Sequence, residues 1–109
     1  MVLEGYDGAE RVLLHYDVAG EDRSIASQVC QIVFGRLRRP ADPVRPTRKV
    51  TGFIHRPGVV WIGQSVLVLP PSDAEELAAR LRGLRVHVSM ARVPISRTAL
   101  EAFRRRDVV

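Results

Sequence analysis

An α+β fold is predicted for this chain of 109 residues, and three features predict it. Segments 22–37 and 72–84 repeat apolar residues at helical spacing. The segments around them alternate apolar and polar residues, as strands do. Turn chemistry separates the pieces: "VAGED", the Pro57-Gly58 pair and Gly83.

Taken in order, residues 1–9 read as a flexible acidic N-terminus, and residues 10–109 as one domain. "RVLLHYD", Arg11 to Asp17, is a strand. From Asp22 to Leu37, Ile25, Val29, Ile32, Val33 and Leu37 mark a helix. Asp22 is its expected N-cap, and Arg36, Arg38 and Arg39 lie near its expected end. Three prolines in Arg38–Thr47 exclude helix and disfavour a paired strand. Arg48 to His55 is expected as a second strand, and Arg56-Pro57-Gly58-Val59 as a type II turn. Val59 to Leu69 is expected as one central strand, with Gly63 at a bulge. Ser72 and Glu75 have the capping-box spacing that opens a second helix, and Ala74, Leu77, Ala78 and Leu81 line its apolar face. Arg85 to Val93 is a last strand, and Ser96 to Arg106 a short C-terminal helix. The order strand-helix-strand-strand-helix-strand is the ferredoxin-like βαββαβ sandwich, here with a short C-terminal helix.

Strand alternation sorts the side chains into two sets. If the more apolar sets meet the helices, the open sheet face gathers His15, Lys49, Phe53, His55, Trp61, Arg85 and His87. Aromatics among cations on a sheet are the means by which such folds stack RNA bases and hold phosphates.

Charge points the same way. The net charge is +5, and residues 23–56 hold eight bases against Asp42 alone. An anionic partner for one face is the expected consequence. Arg38, Arg39, Arg45, Arg48 and Lys49, with Arg36, are the expected phosphate contacts, and Phe53, His55 and Trp61 the expected stacking residues. All but one of the 17 basic residues are Arg, and Asn is absent. That bias fits a GC-rich genome and is compatible with a thermophile, so Arg counts alone do not establish function.

The sequence holds no complete catalytic motif. One cysteine, Cys30, excludes an internal disulfide and every multi-cysteine zinc motif. Among Val29, Ile32 and Val33 it is expected to be buried. The three histidines fall on different strands, so no metal or other cofactor is expected. The longest nearly apolar run, Val59 to Pro71, is too short for a membrane helix. The N-terminus begins with Glu4, Asp7 and Glu10 rather than a basic start and an apolar stretch. A soluble cytoplasmic protein is expected.

"RKVTGFIH" resembles the basic-then-aromatic start of the RNA-recognition motif signature, but Val59 to Leu69 lacks its further glycine and aromatic positions. "YDVAGEDR" resembles the small CRISPR-associated metal-dependent nucleases that assemble as dimers, through Tyr16, Asp17 and Arg23. That resemblance implies Asp17 as a metal-binding carboxylate. Three functions are therefore expected in order: a non-catalytic nucleic-acid-binding protein, RNA before DNA; a protein-interaction subunit or homodimer using the open sheet face; and such a nuclease.

Overall fold

The computed structural model describes residues 10–20, 22–38, 44 and 48–105. The acidic terminus 1–9, and the loop residues Arg39 and Arg45, lie outside them. The described residues form a four-stranded antiparallel sheet, a separate two-stranded ribbon and three α-helices. None of the described helices is long and apolar enough to cross a membrane.

β1 (Glu10–Asp17) alternates as its sequence demands, with Val12, Leu14 and Tyr16 buried and Leu13, His15 and Asp17 exposed. α1 (Arg23–Phe34) is capped by Asp22, whose carboxylate accepts the Ile25 N–H at 3.0 Å. It stops three residues before the expected end. Gly35, at φ 82° and ψ −175°, takes an extended conformation open essentially to glycine alone, and there the helix ends and the chain turns into β2 (Gly35–Arg38).

β2 pairs antiparallel with β3 (Arg48–Thr51), matching Arg36 with Val50, Leu37 with Lys49, and Arg38 with Arg48. Arg38 was expected in an unpaired loop and is a strand residue instead. β3, expected to run to His55 within the main sheet, ends at Thr51 and belongs to the ribbon. The cause lies at the ribbon's root. A Cβ on Gly52 would collide with backbone atoms of Gly35, Val33 and Phe34, so the two chain segments touch there main chain to main chain. Beyond Gly52 the chain turns through a 3₁₀ helix, Phe53–His55. Gly52→Ala should therefore cost about 1–3 kcal/mol through overpacking, read as a lower thermal midpoint. Gly83→Ala, whose added Cβ would meet nothing within 4 Å, is the control. Equal midpoints for the two variants would contradict this account of the root.

Gly58, at φ 79°, and a 3.2 Å hydrogen bond from Val59 N–H to Arg56 O close the Pro57-Gly58 turn. The segment expected as one strand is a hairpin, β4 (Val60–Gly63) and β5 (Val66–Leu69), with a register shift between Trp61 and Gly63. Ser65 turns at φ 63°. α2 (Pro71–Gly83) begins with Pro at its first position and has no side-chain cap, so the Ser72–Glu75 box is not formed. Its face of Ala74, Leu77, Ala78 and Leu81 is buried as expected. β6 (His87–Pro94) and α3 (Arg97–Arg105) complete the order.

The sheet order is β4-β5-β1-β6, every neighbour antiparallel. One face packs Leu14, Leu67 and Leu69 against Val33 of α1 and Leu77 and Leu81 of α2. On the other, Val60 and Val68 pack under Leu100 of α3.

Candidate nucleic-acid interface

The ribbon carries Arg36, Arg38, Arg48 and Lys49 among its eight residues and no acid. Its register sets Arg38 opposite Arg48. Like charges directly opposite weaken a strand pair, and an isolated two-stranded hairpin is marginal to begin with. Arg36 is exposed and donates through Nη1 to Gln31 Oε1 at 2.9 Å.

The expected stacking residues are placed differently. Phe53 is 1% exposed and belongs to the main core, so it presents no ring to a base. The 3₁₀ turn shifts the phase of the alternation and drives the ring inward. Trp61 is half-buried, packs on the main core and meets Phe34 edge to face, with ring centroids 5.8 Å apart. Its indole N–H is enclosed without a hydrogen-bond partner. His55 is exposed on the 3₁₀ turn, where its Nδ1 accepts the Gly52 N–H at 3.0 Å. Of the residues expected together on the open sheet face, His15 and His87 are exposed on paired strands, with Asp17 in register opposite His87. Arg85 is exposed in the turn after α2, at φ 63°.

The residues behind the nuclease resemblance also separate. Tyr16 is a core residue whose hydroxyl pKa is pushed up by burial, against a hydrogen bond with Ser65 that lowers it. Asp17 is exposed at the strand end. Among the described residues, no group of three or more His, Cys, Asp or Glu side chains could hold a metal ion. Cys30, expected buried, is exposed: α1 turns Val29 and Val33 inward and rotates position 30 about 100° away.

Behind the ribbon, α1, the ribbon root and α2 enclose an open groove of about 400 Å³. Arg36, Arg56 and Arg80 line it, with no acid among the described lining residues. Arg56 lies 3.9 Å over the Phe53 ring and bridges to Asp73 at 3.1 Å and Glu76 at 2.7 Å. It thereby ties the turn below the ribbon to α2. Sequence reasoning missed this groove, although Asp73, Glu76 and Arg80 recur at the spacing that puts them on one helix face.

The Arg56 hydrogen bond lowers the Glu76 carboxyl pKa below its ordinary value, and the same bond raises that of Arg56. A depressed carboxylate stabilises the fold above its unfolded pKa and loses that contribution as pH falls through the folded value. Glu76→Gln should thus lower the melting midpoint slightly at neutral pH. The difference from wild type should vanish below the depressed pKa, and paired melts across that range check it.

No protein-family model, curated protein or solved structure matches the chain.

Proposed function

We propose that this chain is a small, non-catalytic nucleic-acid-binding protein whose β2–β3 ribbon lies against phosphates. One observation carries the reading: a paired ribbon with four cations, no acid and an Arg-Arg cross-strand position. Like charges directly opposite weaken a strand pair, and a polyanion would offset that concentration of charge. The sheet order supports a ferredoxin-like assignment for β1, α1, β4, β5, α2 and β6, with the ribbon inserted after α1.

Exposed stacking aromatics would favour RNA. With Phe53 and Trp61 packed into the protein, contact with the phosphate backbone is the stronger half of the reading. A two-stranded ribbon also has the width that the major groove of B-form DNA admits. Duplex DNA is accordingly the favoured partner.

Fluorescence-anisotropy titration of labelled duplex DNA, single-stranded DNA and RNA, at two salt concentrations, tests this. Duplex DNA should bind tightest and weaken as salt rises. Binding to none of the three at low salt would overturn the reading. In the same samples, magnesium or manganese should produce no cleavage. Cleavage abolished by Asp17→Ala would favour the nuclease instead.

A second reading, a homodimer or protein-interaction subunit, is favoured by the part of the sheet face beside α3. Leu13 is 37% exposed there, on the same side of β1 as His15. Sedimentation equilibrium distinguishes this reading: a dimer dissociated by Leu13→Glu would support it.

A further inference from the structure

We propose that the groove between α1, the ribbon root and α2 is a nucleotide-sized phosphate site, holding one phosphate-bearing unit of the strand that the ribbon contacts. That the phosphate belongs to a strand follows from the nucleic-acid reading above; the site itself follows from the groove. Its volume, about 400 Å³, lies in the range of small-ligand sites, roughly 300–1,000 Å³. Three guanidinium groups reach it from three different elements: Arg36 from β2, Arg56 from the turn, and Arg80 from α2. Guanidinium forks match phosphate oxygens in geometry as well as charge.

The three cations are not equivalent. Arg56 is compensated by Asp73 and Glu76 and is fixed over Phe53. Arg36 is oriented by the neutral amide of Gln31, which leaves its charge intact. Arg80 lies 5.6 Å from the centroid of the same Phe53 ring and interacts with the Glu76 carboxylate only through charge, without a direct ion-pair contact among the described residues. An entering anion therefore meets Arg36 and Arg80 as its principal partners, with Arg56 as a fixed third charge. Ile32 and Val50 supply apolar wall for the sugar of a nucleotide.

Calorimetric titration of the full chain with a 5′-nucleoside monophosphate, its nucleoside and inorganic phosphate tests the site. It is run beside the duplex titration, on wild type, Arg80→Gln and Arg80→Lys. The monophosphate should bind at least tenfold more tightly than either fragment. Arg80→Gln should weaken it at least tenfold and Arg80→Lys less, and duplex affinity should fall by a similar factor, because the same guanidinium holds a phosphate of the strand, while the ribbon keeps duplex binding measurable. Equal affinity for nucleoside and monophosphate would overturn the site, as would unchanged affinity in a folded Arg80→Gln variant. Inorganic phosphate binding as tightly as the monophosphate would overturn the nucleotide assignment. Duplex binding without monophosphate binding removes the groove and leaves the ribbon reading. Monophosphate binding without any nucleic-acid binding overturns the proposed strand and leaves a site for a free nucleotide.

Discussion

Phe53→Ala should destabilise the protein by about 3–5 kcal/mol, the usual cost of deleting a buried aromatic ring. Phe53 is 1% exposed and stands where the ribbon root, α1 and α2 meet. A domain of this size has roughly 5–15 kcal/mol in total, so the variant should be partly unfolded at moderate temperature. Arg56 would also lose the ring that it covers at 3.9 Å. Phe53→Leu keeps an apolar side chain in place and should cost much less than Phe53→Ala. Denaturant melts of the two variants measure the difference. A base-stacking Phe53 would give the opposite pattern: a stable Phe53→Ala variant with weakened nucleic-acid binding.

That contrast shows where the sequence is legible and where it is not. The apolar face of α2, the Asp22 cap and the Pro57-Gly58 turn follow from local chemistry, because each is set by residues a few positions apart. Phe53 does not. Its direction depends on Gly52 touching Gly35, a contact between residues 17 positions apart that no periodicity encodes. Trp61 fails for another reason. Val60, Ile62 and Val68 are apolar, and so are Trp61, Leu67 and Leu69, because α3 covers one side of β4 and β5 while α1 and α2 cover the other. A strand buried on both faces has no polar side to reveal its orientation. The hairpin turn at Gln64-Ser65 hides in the same apolar run. The cations of the ribbon were legible as a charge cluster, but their cross-strand register was not.

Replacing Arg38, Arg48 and Lys49 together by Ser should weaken duplex binding by on the order of 100-fold at physiological salt, through the loss of charge-assisted phosphate contacts. Stability should move in the other direction or remain within about 0.5 kcal/mol, because the Arg38–Arg48 juxtaposition disappears. The combination separates function from genome composition. Arginines accumulated by codon bias would be lost without effect on binding. Arginines that slightly weaken the ribbon while strengthening binding are explained by the partner. Trp61→Ala, in contrast, should lower stability and leave the affinity of the folded fraction unchanged, since its ring packs on Phe34 and the core.

The proposed phosphate contacts of the ribbon stand or fall on the slope of log affinity against log salt for duplex DNA, measured for wild type and for the triple Ser variant. Each phosphate contact contributes about 0.9 to that slope. Wild type should show a steep negative slope, and the variant one flatter by roughly 2–3 units. Equal slopes for the two proteins would rule out phosphate contacts by Arg38, Arg48 and Lys49.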